Sequence, residues 1–420
     1  MKLMNQPFNG QLGNQLIELL DSQNYHTLNI VVAFAKSSGV LRIKGSLENF
    51  RKRGGVVNAY VGIDLGVTSY EALTALLLCT DSLNVVHSEK GQTFHTKIYQ
   101  FLGKEKGIII VGSHNLTGGG LWTNFESSAQ ISLDMSNSED IEMLRAQEDY
   151  FNSLASLNDS FMPISTSDDV NKLLQNGYID KEVSQQVRLA KAAAKDESRE
   201  RLFGNGVPAA LPRGDMPRKE TAAAPSEVST GQISELKNDG IDTIWFETRK
   251  LTGGSRNILD LSMKSLVERG EPTGTSFNIG EPGFMRGGVE FFGINPTDTA
   301  DRKDITLNFE GVDYIQNTIL FPKGDSANGT WRLQIKGESS SEVGITEVFK
   351  RLNTSEGERY DDKGELLLYL QIKIITFTKV QDDYYFMSVF PESELDNFRE
   401  TAKILARNGK SSQAKQLGLL

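Results

Sequence analysis

The residues best suited to chemistry lie between Phe94 and Ser128. His95 and Lys97 stand two positions apart in a segment, Phe94–Phe101, whose β-branched and aromatic residues predict a strand. Side chains at i and i+2 of a strand share a face, so the spacing projects an imidazole and an ammonium together. A second apolar run, Gly107–Val111, ends in Gly112-Ser113-His114-Asn115-Leu116-Thr117 and the turn Gly118-Gly119-Gly120. Asn115 therefore falls on a loop after a strand, where polar side chains converge on ligands. Asn124-Phe125-Glu126 leads into the next strand, Ser127–Leu133. Imidazole, ammonium, carboxamide and carboxylate suit phosphoryl transfer without a metal. The imidazole attacks phosphorus, Lys97 and Asn115 stabilise the equatorial oxygens, and the carboxylate orients the imidazole.

The elements around these residues alternate in character. Asn29–Phe34 is a buried-strand run, Ser38–Arg53 has helical spacing and stops at Gly54-Gly55, and Val56–Ile63 is the next strand. Tyr70–Leu78 predicts a helix, Leu83–His87 a strand, and Glu139–Leu154 an acidic helix that closes the region. This is the grammar of an α/β domain with a mixed or largely parallel sheet, assigned to residues 1–160. Residues 161–232 read as a helical segment (about 168 to 201) and a linker rich in Pro, Gly, Ala and Ser from Gly204 to Thr230.

From about residue 233 to 420 short strands and Gly turns take over. Strands are predicted at Thr243–Glu247, Leu259–Met263, Val289–Phe292, Thr306–Phe309, Asn317–Phe321, Thr330–Lys336 and Leu366–Thr378, with a terminal helix at Glu392–Asn408. That pattern predicts a mostly β barrel or sandwich.

His95-x-Lys97 followed by Gly112-Ser113-x-Asn115 resembles the His-x-Lys signature of the phospholipase D superfamily. Glu126, eleven positions after Asn115, resembles the arrangement in its metal-independent restriction endonucleases. The likeness extends over Val31–Ala35, Gly54–Asp64 and the acidic helix. Ile258–Pro272 and its β-rich surroundings resemble the DNA-recognition domain of those enzymes, a pseudobarrel related to the plant B-three fold. The superfamily's common Asp five residues after the Lys is Leu102 here, which moves the orienting role onto Glu126. The resemblance implies an α/β phospholipase D-like nuclease domain followed by a mostly β pseudobarrel. It implies a sequence-specific endonuclease of a restriction system, acting on double-stranded DNA through a phosphohistidine. Because the chain holds one His-x-Lys, and the superfamily mechanism uses two histidines, the expected assembly is a homodimer sharing one site. A separate ATP-hydrolysing protein or methyltransferase accompanies some relatives.

Other residues are weighed against plainer roles. Ser113 is expected to support the site by hydrogen bonding, since no triad spacing accompanies it. His114 lies on the opposite parity from Ser113 and Asn115, and His26 and His87 have no partners in pattern. For base reading, Arg249, Lys250, Arg256 and Asn257 flank the turn Thr252–Ser255, because Arg and Asn match guanine and adenine edges. No metal-ligand spacing, nucleotide loop or cofactor motif is present, so neither metal nor cofactor is expected. The net charge of −10 is unlike that of a protein that coats nucleic acid, so a DNA reading rests on sites. The lone Cys79 fits a reducing cytoplasm, and no apolar run approaches the roughly 18 residues of a membrane span. Two alternatives stay open: a phospholipid-hydrolysing or transferring enzyme of the same superfamily, and a non-catalytic DNA-binding protein.

Overall fold

A computed structural model describes residues 1–194, 206, 207, 209, 242–250, 257–323, 329–361 and 363–420. The chain forms two compact units, the first spanning Met1–Gln185 and the second holding the described residues from 242 onward.

The first unit runs β1 (Lys2–Gln6), α1 (Leu12–Asp21), β2 (Thr27–Val32), α2 (Ser37–Lys52), β3 (Val56–Gly62), α3 (Tyr70–Cys79) and β4 (Ser82–Val86). It continues with β5 (Lys97–Leu102), β6 (Lys106–Gly112), β7 (Glu126–Asp134), α4 (Ser138–Ala155), β8 (Phe161–Ile164), α5 (Ser167–Gln175) and the start of α6 (Glu182–Ala194). Eight strands make one mixed sheet in the order β1-β7-β6-β5-β2-β3-β4-β8. The pairs β2–β3 and β3–β4 are parallel and the rest antiparallel. Central β2 is buried along nearly its whole length, as a strand covered on both faces must be. Phe151 of α4 packs on Val31, Ile98, Ile109 and Leu133 and stacks on Tyr60 at 5.3 Å. The other helices form a continuous layer, α1 on α2, α2 on α3 and α3 on α5.

The expected mixed sheet flanked by helices is present, and its boundary differs from the expected one. The unit extends past residue 160 because β8 pairs with β4, Leu83 opposite Ile164, and completes the sheet. Four residues of apolar strand followed by helix carry too little pattern to be read as an edge strand. Residues 161–185 are therefore part of the first unit, not of a tether. The linker, Gly204–Thr230, lies almost wholly outside the described residues.

The second unit has β9 (Thr243–Glu247), β10 (Ile258–Leu261), β11 (Lys264–Arg269), β12 (Phe284–Arg286), β13 (Arg302–Phe309), β14 (Val312–Leu320), β15 (Trp331–Gln334) and α7 (Ile345–Ser355). β16 (Lys373–Gln381), β17 (Tyr384–Pro391), α8 (Leu395–Thr401), β18 (Ile404–Arg407) and β19 (Gln416–Leu419) follow. Its eleven strands run in the order β10-β15-β14-β13-β17-β16-β9-β19-β18-β11-β12 around a core that includes Phe246, Phe292, Phe309, Trp331 and Phe377. The β13–β14 hairpin turns on Glu310 and Gly311, both at positive φ (52° and 79°), the two-residue turn whose twist suits a hairpin. The unit is mostly β, as expected.

Three expected elements differ. Val289–Phe292 is not a strand but part of a short helical turn, Gly288–Phe292, closed by Glu290 N–H on Gly287 O and Gly293 N–H on Glu290 O. Its apolar residues reach the core without a ladder. Leu366–Thr378 becomes strand only from Lys373. The terminal helix stops at Thr401, because Ile404–Arg407 pairs with Gln416–Leu419 and buries Ile404 and Ala406 in the core of the unit. Pairing with a distant strand overrides helical spacing there.

Candidate active site

Strand order gathers the chemistry at one edge of the first sheet. β5 starts beside the end of β2, with Lys97 opposite Val32, and β6 ends beside the start of β5, with Val111 opposite Ile98. β7 starts there too, with Ser128 opposite Gly112. His95, Lys97, Ser113, Asn115 and Glu126 thus meet at the carboxyl ends of β2 and β6, the usual location of ligand sites in α/β sheets.

His95 precedes the strand instead of lying on it, and is exposed, with its ring edge-on to Phe34 at 5.9 Å. Lys97 is buried, and its Nζ donates to His95 Nδ1 at 2.7 Å and to His95 O at 2.8 Å. An ammonium donating to Nδ1 leaves the proton of the neutral imidazole on Nε2. Burial pulls the Lys97 ammonium below its usual range, and the Glu126 carboxylate opposes that shift.

Asn115 is half-buried. Its Oδ1 accepts the Phe34 N–H at 3.1 Å, which turns the carboxamide so that Nδ2 is left to donate. Glu126 accepts from Ser113 Oγ and from Asn124 Nδ2 (3.3 Å), and Ser113 Oγ accepts the Ser127 N–H at 3.0 Å. No hydrogen bond joins Glu126 and His95 among the described residues, and His95 Nδ1 faces Lys97. The reason is local, since Ser113 and Asn124 are nearer donors on the two chain ends that flank Glu126. Ser113 Oγ thus holds the Glu126 carboxylate.

His114 points inward, as its parity predicts. Its Nδ1 lies 2.8 Å from Gly120 O and its Nε2 3.1 Å from Ser128 Oγ, and burial holds its pKa below the usual value. It ties the glycine turn to β7. Among the described residues no group of three or more His, Cys, Asp or Glu could hold a metal ion, and no helix is long and apolar enough to cross a membrane.

The residues expected to read bases are in the second unit. Arg249 Nε donates to Glu247 Oε1 at 3.0 Å, and Lys250 Nζ bonds both Asp361 and Glu365. Asn257 lines a small cavity with Thr248 and Lys415, and its carbonyl accepts the Ile335 N–H. Arg256 lies outside the described residues. Both described cations are thus paired with carboxylates of their own unit, Arg249 with a residue two positions away and Lys250 with partners more than a hundred positions away that the sequence cannot announce.

No family model and no curated protein matches the chain. Among solved structures it is similar to a phospholipase D family member, Nuc, from Salmonella typhimurium, at 15% identity and TM-score 0.30 over 39% of this chain and 97% of that one. NucT from Helicobacter pylori is similar at 15% identity and TM-score 0.29, over 39% and 98%. A phosphatidylserine synthase from Haemophilus influenzae is similar at 12% identity and TM-score 0.28, over 41% and 44%.

Proposed function

We propose that this chain is a metal-independent phosphodiester hydrolase that cuts double-stranded DNA at specific sequences, as the endonuclease of a restriction system. The supporting observation is the meeting of His95, Lys97, Asn115 and the Ser113–Glu126 pair at one sheet edge, with the donors of Lys97 and Asn115 held in place. Such an edge presents an ammonium and a carboxamide to the non-bridging oxygens of a phosphodiester while an imidazole stands at its mouth.

Two proton states of one imidazole are needed. Attack requires a bare Nε2, which forms the N–P bond as the P–O bond to the leaving sugar oxygen breaks. Protonation of that oxygen requires an imidazolium, which gives up its Nε2 proton and keeps the one on Nδ1. A homodimer placing two His95 side chains in one site supplies both. The attacking copy leaves the Nε2–H tautomer that the Lys97 contact selects for the Nδ1–H form. The other copy, once it has given its proton to the leaving oxygen, takes one from the water that breaks the N–P bond. The second unit, with its β-rich architecture, is assigned target reading. If Arg249 and Lys250 take part, DNA must displace Glu247, Asp361 and Glu365 from them.

The test is cleavage of mixed-sequence DNA in excess chelator by the wild type and by His95→Ala. Discrete fragments from the wild type only are expected. Cutting that stops in chelator, or that persists in His95→Ala, refutes the assignment. A smear in place of discrete fragments removes the sequence specificity alone.

A further inference from the structure

A buried carboxylate outside the four proposed residues holds the chain that delivers His95. Asp64 sits two residues past the end of β3, at the same sheet edge, and is 8% exposed. One oxygen accepts the Phe94 N–H at 2.9 Å; the other lies 2.8 Å from His87 Nδ1. His87 directly follows β4, and its own backbone N–H is fixed on Ser160 O at 3.0 Å. The next residue after Asp64, Leu65, adopts φ 59°, a left-handed backbone that costs a leucine energy and persists only where surroundings enforce it.

The other side of Phe94 is equally close. A Cβ added to Gly62 would stand 2.6 Å from Ala33 O and 3.1 Å from both Phe94 O and Phe94 Cδ1. The residue ahead of His95 is thus gripped by a charge-assisted hydrogen bond on one side and by glycine's missing side chain on the other. Between the end of β4 at Val86 and the start of β5 at Lys97 no strand ladder fixes the chain, so this grip on Phe94 and the Lys97 contacts with His95 are what hold it beside the imidazole.

We propose that Asp64 is a positioning residue for His95, acting through the Phe94 N–H, and that His87 locks the Asp64 rotamer. The dyad joins the ends of three segments (β3, β4 and the entry to β5) that the sequence keeps apart. Its catalytic consequence rests on the nuclease reading; its structural consequence does not.

The experiment compares full-length wild type, Asp64→Ala and Asp64→Asn by two readouts. The chain has four histidines, so each imidazole can be assigned in a ¹H–¹⁵N spectrum. Asp64→Ala is expected to shift the His95 ring signals and lower kcat for DNA cleavage by about tenfold or more, with KM within about twofold. Asp64→Asn keeps an oxygen for the Phe94 N–H and is expected to restore most of both. Unmoved His95 signals in Asp64→Ala, or an Asn variant as impaired as the Ala one, overturns the proposal. Should Asp64→Ala fail to fold, Asp64→Ser keeps a polar group there but is too short to reach both Phe94 N–H and His87, and unmoved His95 signals in it overturn the proposal equally. A wild type that cuts no DNA removes the nuclease reading while the spectra still decide the role of Asp64.

Discussion

Glu71 and Glu182 form a carboxyl pair whose pH dependence can be worked through. Glu71 lies in the first turn of α3, 2% exposed, and accepts the Glu182 N–H at 2.9 Å. The Glu182 carboxylate takes three donors: Ser37 N–H at 2.6 Å, Ser37 Oγ at 2.7 Å and Ser69 Oγ at 2.7 Å. These three bonds fix the Glu182 carboxyl beside Glu71. Burial first, and the Glu182 charge second, push Glu71 up from 4.5 to about 8, against the partial opposition of Lys181. Between those values the folded chain holds a proton that the unfolded chain has released. Stability therefore falls as pH rises through the window, by at most about 1.4 kcal/mol per unit. From pH 5 to pH 8 the loss comes to about 3–4 kcal/mol for the first unit. Glu71→Gln keeps an acceptor for the Glu182 N–H and removes the titration, so this loss should vanish. The lone thiol, Cys79, is fully buried at the end of the same helix, and its pulsed alkylation in urea reports the unfolding of this unit. Equal pH slopes in wild type and Glu71→Gln, or a wild type that gains stability toward pH 8, would refute the reasoning.

Other consequences are direct. Ser113→Ala removes the hydroxyl that holds Glu126 and should lower kcat for cleavage by about tenfold with DNA affinity unchanged. An unchanged kcat would mean that Glu126 needs no support. Gly13→Ala places a Cβ 2.1 Å from the fully buried Trp122 ring, and overpacking there should cost about 1–3 kcal/mol in urea unfolding. A variant as stable as wild type would show that α1 can shift away from the ring. Lys97→Met should abolish cleavage and shift the His95 signals toward a free imidazole; retained cleavage would remove Lys97 from the site.

Spacing along the chain determined the identity of the candidate groups. His95 and Lys97 two apart, Asn115 after an apolar run and Glu126 before another are local facts, and the strands they border formed within a residue or two of expectation. Helical periodicity likewise placed α2, α3 and α4, because burying one face of a helix needs only the helix's own pattern. What the pattern could not hold was strand order. Placing β5 between β2 and β6 brings Phe34, Lys97 and Ser113 to one edge, and running β3 and β4 parallel to β2 adds Asp64 and His87. Strands called by their composition could be shuffled into other orders without changing a single local preference. Tertiary structure alone therefore decided that Glu126 serves Ser113 and that Lys250 is held by Asp361 and Glu365. Glu71 and Glu182, separated by 111 positions, meet for the same reason. Periodicity records which side of an element is buried, whereas hydrogen bonds between element ends depend on which ends the completed sheet makes neighbours.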